Sequence, residues 1–404
     1  MRVLIVALGT MGDVAPYTGL VGPLRAAGHE VAMAAFGRFA AQVRACGAEF
    51  REIPGDPAAA GGWTQAANSS RGIRSVAAQA RRLGEAVLAV AERGADVLLL
   101  SMPAQSAVHV AERLGIPSIG LFLQPIFPTA AHPPSFIGVG GSLGGWGNRA
   151  AGGLLVALMG RLTSGPVREL RARLGLPPAN RRELGERMAA WPVLHAYSPA
   201  VLPRPDDWRP GLTVSGYLWP AVPADWEPDA ELADFLAAGP PPVYVGFGSR
   251  RISDGPRIVE IVEEALRRAG VRGVLHAGWA GLASRSGTTF TVGETPHEWL
   301  FPRMAAVVHH CGAGTTAAGL RAGVPTVGVP ILGDQPFWAG RVAALGAGPK
   351  PVPYGGLSAD RLARAVADAV SDASYRKAAT ALSERIAAED GAGKVVAALA
   401  ALDH

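Results

Sequence analysis

Four short stretches of this 404-residue sequence hold residue types that can do chemistry. HHCGAGTT (His309–Thr316) runs two adjacent histidines into a cluster of small residues. GFGS (Gly246–Ser249) repeats the glycine-rich pattern with a hydroxyl at its end. GDQPFW (Gly333–Trp338) sets a carboxylate beside a carboxamide, and GTMGD (Gly9–Asp13) ends on a carboxylate near the N-terminus. A histidine pair can bind metal, pass protons, grip an anion or fill a core, so its surroundings must decide.

Consecutive strand residues face opposite sides, so His309 and His310 cannot easily share one ion. The sequence has no His-Glu-x-x-His and no Asp-x-Asp pair, and no metal is expected. An anion suits the pattern better. A Gly/Ala-rich strand-to-helix turn lets backbone N–H groups approach an anion, and the helix N-terminus adds about half a positive charge. His310, at the turn, would donate to a phosphate oxygen while His309 is buried; the plainer alternative is that both satisfy backbone partners. Ser249 would offer its hydroxyl at a second such turn, and two turns converging on one point describe a diphosphate site. Asp334 and Gln335 supply acceptors and donors for sugar hydroxyls, although Asp334 can equally start the following helix as its N-cap. Asp13 is either the cap of a helix beginning near Ala15 or a general base facing a cleft.

These residues need elements to hold them. VLIVAL (Val3–Leu8) is a continuous apolar run of buried parallel-strand type, followed by GTMGD, a periodic stretch over Ala15–Ala27 and a strand over Glu30–Phe36. DVLLLS, a helix around Ala104–Leu114 and PSIGLFLQ continue the alternation. From Pro125 to Gly165 glycine and proline dominate, which reads either as a surface loop or as an apolar lid or acceptor wall over 131–165. Prolines crowd again between Leu202 and Pro242, as in an interdomain linker. The rhythm then restarts with a strand and turn at Pro242–Ser249, strands at Arg272–Gly278, Ala305–His309 and Thr326–Pro330, and a helix from near Thr315. The expected architecture is α/β, with two doubly wound domains, 1–215 and 216–404, facing across a cleft. The last helices could pack back on the first domain.

Composition narrows the partners. Hydrophobic residues make up 49% and charged residues 18%, enough apolar material for large cores, which argues against disorder. The net charge of +5, without a Lys/Arg run, suits an anionic small ligand better than nucleic acid. Only Cys46 and Cys311 are present, so no disulfide framework or thiolate zinc cluster is expected. The N-terminal apolar run is too short for a signal peptide, and no stretch looks like a membrane span, so a cytoplasmic protein without stable membrane insertion is expected.

Two longer segments resemble a known family. PHEWLFPRMAAVVHHCGAGTTAAGLRAG followed by VPTVGVPILGDQPFWAGRVAALGAG (Pro296–Gly348) is similar to the donor-binding box of family 1 nucleotide-sugar-dependent glycosyltransferases, which have the GT-B fold. GTMGDVAPYTGL resembles the acceptor-side signature of the branch that holds sterol glucosyltransferases and actinobacterial antibiotic glycosyltransferases. The resemblance implies an inverting, metal-independent transfer from a UDP- or TDP-sugar to a hydroxyl of a hydrophobic small molecule, with Asp13 as base. It implies that His310 and the backbone of Gly312, Ala313, Gly314 and Thr315 contact the diphosphate, with Ser249 opposite, and that Asp334 and Gln335 hold the donor sugar. Met11 stands where the branch usually has Arg, and Cys311 where it often has Gly. The acceptor would meet Met11, Gly12, Phe127, Phe136 and Trp146, side chains that could equally be core. Rival readings are a GT-B nucleotide-sugar epimerase, an inactive nucleotide-sugar-binding homologue and, last for want of a G-x-G-x-x-G, a dinucleotide oxidoreductase.

Overall fold

The computed structural model describes residues 1–56, 82–223, 225–248, 255–279 and 287–402. Two parallel sheets organise it. The first has strands β1 (Arg2–Val6), β2 (Glu30–Phe36), β3 (Glu49–Ile53), β4 (Val97–Leu100), β5 (Ser118–Phe122), β6 (Val193–His195) and β7 (Leu212–Val214), ordered β3-β2-β1-β4-β5-β6-β7. The second has β8 (Val243–Gly246), β9 (Gly273–His276), β10 (Thr289–Val292), β11 (Ala306–His309) and β12 (Thr326–Gly328), ordered β10-β9-β8-β11-β12. The apolar runs explain the pattern. Val3 to Leu8 are at most 1% exposed, covered on both faces as parallel strands require.

Each sheet reverses its winding once, and the chemistry-bearing turns sit there. In the second sheet the reversal falls between β8 and β11, paired with His309 opposite Gly246. Hence HHCG and the start of GFGS leave neighbouring strand ends at the place where doubly wound sheets bind ligands. In the first sheet β1 lies between β2 and β4, and GTMGD leaves its end.

Several boundaries differ from the sequence expectation. The interval between Leu202 and Pro242 is not a bare linker, since it contains β7, paired with β6, and a helix over Ala230–Ala237. The supposed loop through Gly165 is largely helical. A helix of 30 residues runs Gly144–Arg173, and it is long and apolar enough by composition to cross a membrane, unlike any stretch the sequence reading identified. Its glycine-rich start is tied down by buried Asn148, which donates to Ala130 O (2.9 Å) and Ser142 Oγ (3.0 Å) and accepts from Leu143 N (2.9 Å). Its C-terminal turn is held by buried Arg171, which forks onto Glu112 at 2.5 and 3.1 Å. Leu154–Arg173 is rich in good helix formers, so two anchored ends suffice.

The two domains meet through the Gln335–Ala344 helix. Phe337 packs edge-on against His132 (centroids 5.4 Å), Trp338 against Tyr197 (6.0 Å), and Arg341 Nε donates to Val201 O at 2.5 Å. The C-terminal helix Gly391–Ala400 packs on the Val21–Ala26 helix of the first domain, and Ser198 Oγ donates to Glu389 Oε1 at 2.6 Å. Gly340 marks one close approach, because a Cβ there would lie 2.0 Å from Gly140 O. Gly340→Ala is expected to lower stability by roughly 1–3 kcal/mol, because backbone must move. Gly153→Ala, a helical site with nothing near its Cβ, should instead stabilise by about 0.5–1 kcal/mol. Urea midpoints of the two variants check the opposite signs.

Candidate active site

A cleft of 2860 Å³ opens between the sheets, lined by Gly9–Asp13 from one side and by His310, Gly312–Thr315, Asp334 and Gln335 from the other. The two sides nearly touch, for a Cβ on Gly314 would come within 3.8 Å of Gly12 O.

On the first side the Met11–Thr18 helix begins earlier than expected, and Asp13 is its third residue. Thr10 is the N-cap, and Asp13 Oδ2 accepts from both Thr10 N (2.8 Å) and Thr10 Oγ1 (2.9 Å), the carboxylate half of a capping box. Asp13 thus supports a helix start while facing the cleft, so the two readings of this residue coexist. Gly9, at φ 133°, makes room, since a Cβ would sit 2.5 Å from Asp13 Oδ2. The Gln124 side chain also hydrogen-bonds Asp13. Burial pushes the Asp13 carboxyl above its ordinary value, and the bonds from Thr10 and Gln124 only partly oppose this.

On the second side the Ala313–Arg321 helix starts two residues before the predicted Thr315, with Gly312 as N-cap. It has no side-chain cap and no acidic residue in its first turn. The two helix starts therefore differ. The Met11–Thr18 helix has a carboxylate of its own at its positive end, whereas the Ala313–Arg321 helix leaves its first N–H groups for an external anion.

His310 is held in a slot flanked by two glycines. A Cβ on Gly312 would lie 2.7 Å from its Nε2, and one on Gly248 3.0 Å from its Cε1. His309 is fully buried, accepts from Cys311 N at Nδ1 (3.0 Å), and is kept neutral by burial. Cys311 has φ 60°, the left-handed region that favours glycine, which explains why a glycine would suit this position.

Asp334 is the N-cap residue of the Gln335–Ala344 helix but makes no capping hydrogen bond; its Oδ2 accepts instead from Trp338 Nε1 at 3.0 Å. Burial raises its carboxyl to about 6, and the charge of Asp13 adds to the rise. Gln335 Oε1 accepts from Ile331 N (2.8 Å) and Leu332 N (3.1 Å), so its carbonyl shapes the loop.

Ser249 lies outside the described residues. Met11, Gly12, Phe127 and Phe136 line the cleft. Phe127 also belongs to an aromatic cluster with His195 (5.6 Å) and Trp208 (6.4 Å). Trp146 does not reach the cleft: at 87% exposure it projects from the Gly144–Arg173 helix into solvent. Sequence reasoning missed Gln124, His276 and Glu294, all on the cleft wall. Gln124 and His276 end or follow strands, the position from which ligand contacts come in such sheets.

Two parallel doubly wound domains facing across a cleft define the GT-B class. Residues 3–133 match the glycosyltransferase family 28 N-terminal domain, and residues 276–402 the erythromycin biosynthesis protein CIII-like C-terminal domain. The sterol 3-beta-glucosyltransferase UGT80A2 of Arabidopsis thaliana is 33% identical over 98% of this chain, which spans 65% of that relative's length. The glycotransferase of kitacinnamycin superposes with a TM-score of 0.70 at 20% identity, covering 98% of this chain and 97% of that one. The spinosyn rhamnosyltransferase SpnG in complex with thymidine diphosphate gives 0.65 at 19% identity, covering 99% and 100%. The two domains thus match glycosyltransferase-type family models, the sequence is similar to sterol 3-beta-glucosyltransferases, and the fold is the GT-B fold of the solved glycosyltransferases.

Two measurements test this geometry. In native protein a thiol reagent should modify Cys46, which is partly exposed, and spare Cys311, which is buried with its thiol pushed up to about 12; unfolding should release the second thiol. The folded Asp334 keeps its proton up to about 6, whereas its ordinary value is 3.8, so it favours the fold below 3.8 and loses that contribution as pH rises through 6. Asp334→Asn should therefore raise the stability read from urea unfolding at about pH 7.5, by at most about 3 kcal/mol, and change it little near pH 4.

Proposed function

We propose that this chain is an inverting glycosyltransferase that moves a sugar from a UDP- or TDP-sugar to a hydroxyl of a hydrophobic small molecule. The observation that carries the reading is the apposition of two unlike helix starts: a self-capped one bearing Asp13, and an uncapped one free to hold a diphosphate. The family relationship supports transfer as the chemistry, and the apolar residues on the cleft wall support a lipophilic acceptor.

In this reading the N–H groups of the Ala313–Arg321 helix start and the His310 imidazole bind the diphosphate, and Asp334 and Gln335 meet the sugar hydroxyls. The acceptor oxygen attacks the anomeric carbon as the bond to the diphosphate oxygen breaks, which inverts that carbon. The acceptor proton passes to Asp13, and the electron pair of the broken bond leaves on the diphosphate. A carboxylate raised by burial is a better base than an ordinary one, but it still takes the proton late, so stabilising the leaving group must supply much of the rate. Helix dipole and imidazole supply that positive charge here, and the reading requires no metal.

Asp13→Asn should reduce transfer by roughly 10²–10⁴-fold while leaving nucleotide affinity nearly unchanged. The check is single-turnover transfer from UDP- and TDP-sugars to a panel of hydrophobic alcohols, beside calorimetric titration with the free diphosphates. Undiminished transfer by the variant would reduce Asp13 to a helix cap, and a wild type that binds no nucleotide sugar would overturn the transferase reading.

A further inference from the structure

The Gly144–Arg173 helix has two jobs on two faces. Val156, Met159, Thr163 and Val167 line the cleft. Leu154, Leu158 and Leu162, spaced four residues apart, form a stripe on another face and line nothing, at 71%, 50% and 39% exposure. Trp146, at 87% in its first turn, and Leu143, at 46% at its N-cap, add apolar surface at its N-terminal end. Most large hydrophobic side chains exposed on the described molecule belong to this helix or to the segment just before it. Soluble surfaces scatter such side chains singly; a contiguous set marks a contact.

Charge says what the contact is with. From Gly144 to Arg168 the helix holds no acidic residue. Arg161 and Arg168, seven residues apart, border the leucine stripe along one edge. Arg181 reaches the middle of the same helix, donating to Ala157 O. The first acid, Glu169, is paired with Arg173 at 3.0 Å. An apolar stripe with an aromatic end and a cationic edge is the pattern of a helix that lies in a lipid–water interface. It is not a spanning helix, because its other face closes the cleft and buried Asn148 and Arg171 fix both its ends to the first domain.

We propose that this helix docks the protein on the surface of an anionic lipid bilayer, with Leu154, Leu158 and Leu162 inserted among the acyl chains and Arg161 and Arg168 at the headgroups. The inference stands on the helix alone and is independent of the transferase reading. One consequence joins the two: the wall of the cleft then lies at the bilayer surface, so a lipophilic molecule could pass from membrane to cleft without crossing water.

Flotation of the full chain with vesicles tests it, using phosphatidylcholine alone and phosphatidylcholine with about a third phosphatidylglycerol. Two arginines near an anionic surface, at about fivefold each, predict at least about tenfold more binding to the anionic vesicles. Leu158→Glu should abolish binding to both vesicle types, and Arg161→Glu with Arg168→Glu should remove the preference for the anionic one. Because these side chains are exposed, all variants should keep the wild-type circular dichroism and melting temperature. No flotation of folded wild type would overturn the proposal. So would unchanged flotation of Leu158→Glu, or sedimentation showing a dimer that this variant splits, since the stripe would then face a second copy.

Discussion

Two helix N-termini point at one another across the cleft, and that is the electrostatic constraint on which the rest of this structure turns. Parallel sheets send every strand end, and the helix start that follows it, to the same edge, so setting two such sheets edge to edge brings positive helix ends together. The approach is close, with Gly314 beside the Gly12 carbonyl. The first domain neutralises its own end with Asp13. The second domain leaves its end uncompensated, and this asymmetry gives the cleft a direction: a carboxylate on one wall, an uncompensated helix start on the other.

Holding the walls at this separation falls to the Gln335–Ala344 helix. Its N-terminus presents Asp334 to the cleft, while Phe337, Trp338 and Arg341 grip His132, Tyr197 and Val201 of the first domain. Trp338 does both, packing edge-on against Tyr197 of one domain while its indole N–H donates to the Asp334 carboxylate. Movement between the domains would therefore be felt at the Asp334 carboxylate on the cleft wall. Gly340 permits the fit, since even a methyl group there would strike the Gly140 carbonyl.

How much of this was legible beforehand depended on how strongly each element signals locally. Val3–Leu8 and Ala306–His309 are long enough apolar runs to be read as buried strands, and with them came the turns and the placing of Asp13, His310 and Asp334 on one cleft. β6 and β7, of 3 residues each, carry no periodicity of their own, and β7 sits among prolines that read as linker. The Gly144–Arg173 helix was hidden for another reason. Its glycines oppose helix formation, and what overrides them is tertiary: Asn148 bonded to Ala130 and Arg171 forked onto Glu112, partners remote in sequence. Misreading that helix as a loop also misplaced Trp146, which a lid would fold inward and a helix holds outside. Gln124 was missed because a glutamine closing a strand has no signature until Asp13 is seen beside it.

The carboxylates add a last step. Asp13 and Asp334 approach from opposite domains, both are raised by burial, and the charge of Asp13 adds to the rise at Asp334. Ionising both in an empty cleft is thus unfavourable, and near pH 6 Asp334 holds its proton part of the time. Under the proposed reading, sugar hydroxyls donating to Asp334 would favour its ionised form and lower its affinity for that proton, while the diphosphate across the cleft would raise the proton affinity of Asp13. Donor binding would then push the two groups apart: Asp334 toward a fixed acceptor for hydroxyls, Asp13 toward a stronger base. One pair of mutually repelling carboxylates can in this way make the proton acceptor most effective only after the donor is in place, without any additional residue.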